Sequence, residues 1–212
     1  FGEMDCLSVG VRRFPVTITY PEDLMSSTSV VSQRASSGAF MSQIQAASRD
    51  IITHSSSGIE GPVPAKLAPA QYKAAVALVR AVCEVGTGVL IFVSGINDIT
   101  ELVQMFEPFS KYLVFPIHSD IPADEQELAF GVTPADKVKV VVATNAAESS
   151  VTIPDCDVVI CLGTHKSLQY SAISHRTQLV NTWISKASST QRAGRTGRVR
   201  PGQVFRLYSS KL

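Results

Sequence analysis

The sequence predicts an α/β domain in which a doubly wound, mostly parallel sheet carries helices on both faces, with a β-hairpin near the C-terminal end. Short apolar runs without polar alternation recur along the 212 residues, a pattern typical of strands that are buried on both faces. Helix-like stretches separate these runs, so strand and helix alternate as they do in parallel α/β sheets.

The first predicted strand, 14–20, is separated from the other elements by a serine-rich stretch. Between 26 and 58 one residue in three is serine and few residues are charged, which is typical of segments that are flexible or ordered by a partner. Only 40–52 has a short helical pattern. We therefore predict three parts: an opening strand in 1–22, a serine-rich insertion in 23–69 and the domain body in 70–212.

The domain body contains five apolar, β-branched runs and four helical stretches. The predicted strands are 89–93, 112–117, 138–143, 158–162 and 204–208, and the predicted helices are 70–85, 97–109, 123–130 and about 188–195. In the second helix Asn97 can cap the N-terminus, Asp98 lies in the first turn and Pro108 ends the helix. Ligands bind beyond the carboxyl ends of parallel strands, so we expect the loops after these strands to carry the function.

Composition narrows the class of protein without naming a function. No apolar run approaches the roughly 20 residues that a membrane helix needs. The four cysteines form no CxxC pair, so reduced thiols are expected and a metal site is not. These features predict an intracellular protein of the nucleus, cytoplasm or an organelle. Because the chain starts at Phe1, we expect it to be a piece of a longer protein.

Charge is distributed unevenly along a chain whose net charge is only +1. All 18 acidic residues lie at or before Asp157, and the last 55 residues carry nine Lys or Arg and no carboxylate. An excess of positive charge in one segment favours a polyanionic partner. Charge alone leaves the identity of that polyanion open.

Three arginines at three-residue intervals, Arg192, Arg195 and Arg198, form the strongest local pattern, with Gly194 and Gly197 just before two of them. Arginines three apart on a helical turn would project to one side, and the glycines would let a polyphosphate or another domain approach the backbone. A guanidinium binds phosphate oxygens in a bidentate manner and stays charged. The alternative is that the three arginines form an exposed, solvated basic end of a helix, which would have the same composition.

The run 183–208 around these arginines resembles motif VI of superfamily-two helicases of the DEAH-box class, and is most similar to the branch around RNA helicase A. That resemblance implies a second RecA-like lobe that completes an ATP site, while a first lobe holds the other half of the site and the Mg²⁺. By the resemblance, Gln191 would orient the attacking water, and Arg195 and Arg198 would contact the γ-phosphate. Arg192 would brace the loop.

The segment 143–153 follows a predicted buried strand and is rich in hydroxyl and amide groups, which are good donors to phosphate and ribose. It resembles motif V of DEAH-box helicases over about ten positions. The resemblance implies that Thr144 and Asn145 contact the RNA backbone. It also implies that Ser150 and Thr152 couple RNA contact to the nucleotide, with Thr152 on the nucleotide side.

Two earlier loops are similar to other motifs of this family. Ser94 and Gly95 form a tight turn whose free amide groups are predicted to face the carboxyl edge of the sheet, similar to motif IV, which holds RNA phosphates. The stretch 116–130 resembles the next motif, which adds Ser119 to the predicted RNA contacts and places Phe130 on the adenine ring. A generic turn and an ordinary core phenylalanine are the alternatives.

Residues 166–184 have two β-prone arms and a polar tip at 174–177. Members of the family carry a β-hairpin at this position, beside the point where strands separate, which implies that Arg176 contacts RNA. A surface hairpin without a function is the alternative. The histidines of this region show no spacing that suggests catalysis or metal binding.

Three positions depart from the family pattern: Cys161 and Pro154 stand where Asp is usual, and Ser149 stands where Thr is usual. The motif VI residues are intact. We therefore predict the second motor lobe of an ATP-dependent RNA helicase, which couples ATP hydrolysis to RNA translocation, unwinding or ribonucleoprotein remodelling. The main rival is a catalytically inactive, helicase-derived subunit that binds RNA or supports a ribonucleoprotein complex; a DNA helicase is a weaker third.

Neither GxxxxGK[ST] nor DEAH occurs in the sequence, so we expect this segment alone to be inactive. The resemblance implies ATP as cofactor. The implied partners are RNA, a first RecA-like lobe and a winged-helix region of the same protein, and a ribonucleoprotein or ribosomal assembly. No membrane partner is expected.

Overall fold

A computed structural model describes residues 14–25, 38–56, 67–149, 153, 155–171 and 175–212. Within these ranges the strands are β1 (Val16–Thr19), β2 (Gly88–Phe92), β3 (Tyr112–Ile117), β4 (Val138–Ala143), β5 (Cys156–Cys161), β6 (Thr164–Ser171), β7 (Arg176–Trp183) and β8 (Gly202–Arg206). The helices are α1 (Pro21–Met25), α2 (Gly38–Ser56), α3 (Pro69–Val82), α4 (Ile96–Phe106), α5 (Ala123–Glu127), α6 (Ala146–Ser149) and α7 (Lys186–Ala193), and a 3₁₀ turn spans Leu128–Phe130.

Six strands form one parallel sheet in the order β1-β8-β5-β2-β4-β3. The remaining two strands, β6 and β7, form a separate antiparallel hairpin in which Thr164 pairs with Trp183. The predicted fold class is confirmed, including the hairpin that precedes the arginine run. The two strands of the hairpin lie within a few residues of the arms predicted in 166–184. They pair along their full length, from Thr164 with Trp183 to Ser171 with Arg176.

Successive side chains of each strand point to opposite faces of the sheet, which is the expected period of two. In β4, Val138, Val140 and Val142 belong to one apolar cluster. Val141 and Ala143 belong to the other. A strand that is apolar at both kinds of position is therefore buried on both sides, which explains why this run shows no polar alternation in the sequence.

Helices cover the two faces in two groups. Buried side chains of α1, α2, α3 and α4 pack on the first face. The second face is covered by smaller elements, through Ala129 of the 3₁₀ turn, Ala147 of α6 and Ala193 of α7. Because the side chains at these contacts are small, α6 and α7 lie close to the strands. The polar residues around these two helices therefore lie at the carboxyl edge of the sheet.

The helix α2 is longer than the piece predicted at 40–52, and it packs on the domain itself. Ile44 and Ile51 are almost completely buried in the same cluster as α3. The predicted division into 1–22, 23–69 and 70–212 stays a prediction, because much of the serine-rich stretch lies outside the described residues.

No helix among the described residues is long and apolar enough to cross a membrane.

Candidate nucleotide and nucleic-acid site

The arginine run begins in α7 and continues into the turn that leads to β8. The Oγ atom of Ser185 caps α7 by accepting a hydrogen bond from the Ser188 amide at 3.1 Å. The helix ends at Ala193, so Arg192 lies in its last turn while Arg195 and Arg198 lie beyond it. The expectation that the three arginines project to one side is wrong: Arg192 is completely buried, Arg195 is largely buried and Arg198 is exposed.

Arg192 is held inside the domain through its Nε and Nη1 atoms, while its Nη2 is buried without a hydrogen-bond partner among the described residues. Its Nε donates to Glu148 Oε2 at 3.1 Å, and its Nη1 lies 3.3 Å from the Thr164 carbonyl and 3.4 Å from Cys161 Sγ. Its guanidinium also lies over the Phe92 ring, 4.8 Å from the centroid. Burial works to lower the pKa of Arg192, but Cys161 and Glu148 outweigh it and raise the pKa. The predicted bracing role agrees with this geometry.

Arg195 and Arg198 follow α7 and differ in exposure. Arg195 is 9% exposed, and its Nη2 donates to the main-chain carbonyl of Glu148. Burial and, after it, the charge of Arg198 lower the pKa of Arg195. The Nε of Arg198 donates to the Gly194 carbonyl at 3.2 Å, and its side chain is exposed. Gln191 is exposed in the last turn of α7, so the three predicted catalytic residues all lie near the C-terminal end of this helix.

Gly197 serves the domain's own packing. Its φ of +77° is a conformation that L side chains rarely adopt. A Cβ at this position would lie 2.4 Å from Val16 Cγ2 and 3.2 Å from the Phe14 carbonyl oxygen. Gly197 therefore permits the close approach of β1, and not that of a phosphate or another domain as the sequence pattern predicts.

The motif V loop follows β4 and leads directly into α6. Thr144 is buried, and its amide donates to the Ile117 carbonyl at 3.3 Å. Asn145 is exposed, and its carbonyl accepts from the Glu148 amide at 2.9 Å. The predicted residues Ser150 and Thr152 lie outside the described residues, as does Pro154. Of the predicted contacts in this loop, Asn145 presents its side chain to solvent and Thr144 anchors the loop to β3.

The amide groups of the turn between β2 and α4 are not free, contrary to the expectation from the sequence. The amides of Ser94 and Gly95 donate to Asp98 Oδ2 at 2.9 and 3.1 Å, and the Ser94 hydroxyl donates to the same oxygen. Asp98 is the third residue of α4, and its carboxylate reaches back to the amides of the two residues that precede the helix. The predicted RNA contacts of Ser94 and Gly95 stay predictions.

Phe130 and Ser119 lie near one another along the chain but in different surroundings. Phe130 is partly buried and packs on the second-face cluster, as the alternative of a core phenylalanine requires. Ser119 is exposed, and its hydroxyl lies 3.2 Å from Asp120 Oδ1. Arg176 is exposed at the start of β7. The roles of these three residues stay predictions.

Two residues of the site, Glu148 and Lys166, are not among those that the sequence predicts. Glu148 binds both Arg192 and Arg195, and the signal for it was a carboxylate just after a buried strand in a loop of hydroxyl and amide groups. Lys166 places its Nζ 2.9 Å from where a Cβ on Gly95 would lie. Gly95 therefore makes room for a cation beside the motif IV turn, which no spacing in the sequence indicates.

Comparison with known proteins identifies the family to which this chain belongs. Residues 73–200 match the family described as helicase conserved C-terminal domain. The chain is 43% identical over 127 residues to the ATP-dependent RNA helicase dhx29 of Xenopus laevis, covering 57% of this chain and 9% of that protein. It is 40% identical over 131 residues to the DExH-box ATP-dependent RNA helicase DExH1 of Arabidopsis thaliana, covering 59% of this chain and 13% of that protein.

A solved structure with the same fold is that of the Escherichia coli DEAH/RHA helicase HrpB, with a TM-score of 0.67 and 25% identity. The match covers 95% of this chain and 21% of the HrpB chain. The chain therefore belongs to the helicase family that carries this conserved C-terminal domain, in its DEAH-box branch. Both the resemblance noted in the sequence and the RecA-like fold are confirmed. The chain spans only a small part of the length of these relatives.

The residues that the structure describes contain no group of three or more His, Cys, Asp or Glu that could hold a metal ion.

The pKa of His165 is lowered by burial and by the charge of Arg192. Near pH 7 this imidazole is therefore neutral. It lies beside the buried arginine and adds no positive charge to the site.

Proposed function

We propose that this chain is the second motor lobe of an ATP-dependent RNA helicase that couples ATP hydrolysis to RNA translocation, unwinding or ribonucleoprotein remodelling. The observation that carries the proposal is the arrangement at the end of α7. Arg192 is locked inside the lobe, while Gln191 and Arg198 face solvent and Arg195 lies beside them. An anchored run that presents the Arg198 guanidinium outward, with Arg195 just beneath the surface, suits a nucleotide held by another module.

ATP is the nucleotide that the relatives' names indicate. In the proposal, Arg195 and Arg198 contact the γ-phosphate and stabilise the charge that develops during phosphoryl transfer, while Gln191 orients the attacking water. A first RecA-like lobe supplies the phosphate-binding loop and the carboxylates for Mg²⁺, so this segment by itself does not hydrolyse ATP. Phe130 and Thr152 are the proposed contacts to the nucleoside and the nucleotide.

RNA is the proposed polyanion at the carboxyl edge of the sheet. The exposed residues Asn145, Ser119 and Arg176 lie in the loops and hairpin at which contacts are proposed, and Lys166 adds a cation beside Gly95. The remaining proposed contacts are Ser94, Thr144 and Ser150. Closure of the two lobes on ATP and their release after hydrolysis would move these groups along the strand.

The proposed partners follow from the same role. They are a first RecA-like lobe and a winged-helix region of the same protein, together with a ribonucleoprotein or ribosomal assembly. A role that consumes ATP and acts on RNA favours an intracellular protein.

The test is the RNA-stimulated ATPase of the complete protein with and without Arg198→Ala. We expect the variant to lose on the order of 10³-fold in rate, as for other arginines that stabilise phosphoryl transfer. Arg49→Ala is the matched control because Arg49 is an exposed arginine on α2, which covers the opposite face of the sheet. This control should keep the wild-type rate.

The second candidate is a catalytically inactive, helicase-derived subunit, which the unusual Cys161 favours. Its sulfur lies 3.4 Å from Arg192 Nη1, at a position where the family usually carries a carboxylate. Equal inactivity of wild type and Arg198→Ala, with RNA binding retained in both, would establish this candidate and exclude the motor.

A further inference from the structure

Asp157, the second residue of β5, binds both sides of the turn that carries Arg198. Its main-chain carbonyl accepts a hydrogen bond from Thr196 Oγ1 at 2.9 Å. Its carboxylate accepts two hydrogen bonds from the Arg200 guanidinium, one from Nε and one, at 2.6 Å, from Nη2. Thr196 and Arg200 lie two residues before and two residues after Arg198. One residue of the sheet therefore holds both flanks of the exposed arginine.

The Asp157 carboxylate is itself fixed to the centre of the sheet. The Gly88 amide, at the start of β2, donates to Asp157 Oδ2 at 3.0 Å, and only 13% of the Asp157 side chain is exposed. The Nη2 atom of Arg200 also lies 3.4 Å from the Gly86 carbonyl oxygen. A guanidinium that binds one carboxylate through two donors is restricted in orientation as well as in distance. The pair therefore restricts the path of the chain at residue 200.

The flank before the exposed arginine is fixed by packing, whereas the flank after it is not. Thr196 is buried, and a Cβ added to Gly202 would lie 2.1 Å from Thr196 Oγ1. Residues 198–200 are all exposed. The second flank therefore depends on the contact between Arg200 and Asp157, because burial does not hold it.

Arg198 depends on this turn for its position. Its side chain is exposed, and its Nε donates to the Gly194 carbonyl at 3.2 Å. Because Gly194 belongs to the same turn, that hydrogen bond moves with the turn and does not tie the guanidinium to the sheet. Groups that act on a transition state must be placed closely, since a displacement of about 1 Å can cost about 100-fold in rate.

We propose that Asp157 and Arg200 form a clamp that sets the position of Arg198 for phosphoryl transfer. The inference rests on the proposed function and deepens it, because it names the residues that pre-organise an arginine assigned to the γ-phosphate. Both are positioning residues that act through Arg198 and not on the nucleotide. The clamp lies where β2, β5 and β8 begin, whereas the RNA contacts are proposed at the carboxyl edge. It therefore acts whether or not RNA is bound.

The test is ATP hydrolysis by the complete protein with Arg200→Ala and with Asp157→Asn. Alanine removes both donors of the clamp, and asparagine keeps an acceptor for the Gly88 amide but loses the charge. We expect kcat to fall about tenfold in each variant, which is part of the loss that a displacement of about 1 Å causes. KM for ATP should change less than about twofold, because neither residue contacts the nucleotide. Basal and RNA-stimulated rates should fall by the same factor.

Double variants identify the route. Arg200→Ala combined with Asp157→Asn should lose no more than either change alone, because both break the same contact. In an Arg198→Ala background neither change should cost anything further. Losses that multiply in either combination would overturn the inference. Wild-type kcat in both single variants, with Arg198→Ala inactive, would overturn it and leave the proposed function intact.

Arg49→Ala is the control for the loss of a surface charge. It removes an exposed arginine on α2 and should keep the wild-type kcat. Arg200 is itself 54% exposed, so its ion pair should add little to the stability of the lobe. A tenfold loss of kcat in Arg49→Ala would assign the effect to charge in general and overturn the inference.

Leu102→Ala is the control for a loss of stability. Leu102 is completely buried in α4 in the cluster on the first face of the sheet, so its truncation destabilises the lobe without touching the clamp. This variant should keep the wild-type kcat per folded molecule, and a tenfold loss would likewise overturn the inference. Equal inactivity of wild type and Arg198→Ala is a different result, because it removes the proposed function and the inference together.

Discussion

Arg192 shows how one side chain of a basic run can have a structural role that its neighbours do not share. It is completely buried and contacts Glu148, Cys161, Thr164 and Phe92. A guanidinium can serve these partners together because its donors point in several directions in one plane, whereas an ammonium is a compact point charge. The requirement at this position is therefore for arginine in particular and not for positive charge.

Arg192→Lys tests that requirement. We expect the free energy of unfolding of this chain to fall by about 1.5–3 kcal/mol, the worth of a hydrogen bond to a charged group. Lysine cannot reach Glu148 and the Thr164 carbonyl at once. Urea unfolding measures the change, and Arg49→Lys on the exposed face of α2 serves as the control. Equal stability of Arg192→Lys and wild type would contradict the argument.

At the scale of elements, the turn between α7 and β8 decides where the arginines point. The chain leaves α7 at Gly194, reverses at Gly197 with a φ of +77°, and enters β8 beside β1. Any side chain at 197 would meet Val16 of β1. The path of this turn separates the buried Arg192 from the exposed Arg198.

Gly197→Ala should therefore destabilise the chain by about 1–3 kcal/mol through backbone strain, with a further cost from the contact with Val16. Gly131→Ala is the matched control, because Gly131 has a φ of −64° and its Cβ would meet nothing closer than 3.5 Å. Thermal unfolding of the two variants compares them. If both variants unfold at the same temperature as the wild type, the turn at Gly197 is not constrained as described.

For the molecule as a whole, the unequal distribution of charge favours RNA binding that depends on salt. The segment after Asp157 has nine basic residues and no carboxylate, and two of the nine, Arg192 and Arg200, pair with Glu148 and Asp157. Two of the exposed ones, Lys166 and Arg176, belong to the hairpin. Counterion release upon phosphate contact makes the logarithm of affinity fall with the logarithm of salt concentration.

Arg176→Ala in the complete protein should reduce the slope of that salt dependence by about 0.7, the contribution of one contact to a single-stranded phosphate. Fluorescence anisotropy of a labelled single-stranded RNA across a salt series measures the slope. Arg49→Ala should leave it unchanged, since Arg49 lies on α2. An unaltered slope in Arg176→Ala would remove this residue from the RNA contacts.

Local sequence pattern was sufficient for the strands and for the family. The largely apolar runs of β3 and β4 predicted both strands with their observed bounds, because strands covered on both faces are apolar at most positions. Lys139 of β4 is a buried exception. The residue types and spacing of the motif loops identified the helicase class. Such features depend on neighbours along the chain, and the sequence displays these directly.

The direction of side chains and the partners of polar groups depended on the packed molecule. Nothing in the spacing of Arg192, Arg195 and Arg198 shows that the first is buried and the last exposed. Likewise Asp98 accepts hydrogen bonds from the amides of Ser94 and Gly95 only because the turn between β2 and α4 brings these groups together. Contacts between residues far apart along the chain, such as Glu148 with Arg192 and Arg195, arise when the parallel sheet aligns the carboxyl ends of its strands, and that alignment exists only in the folded state.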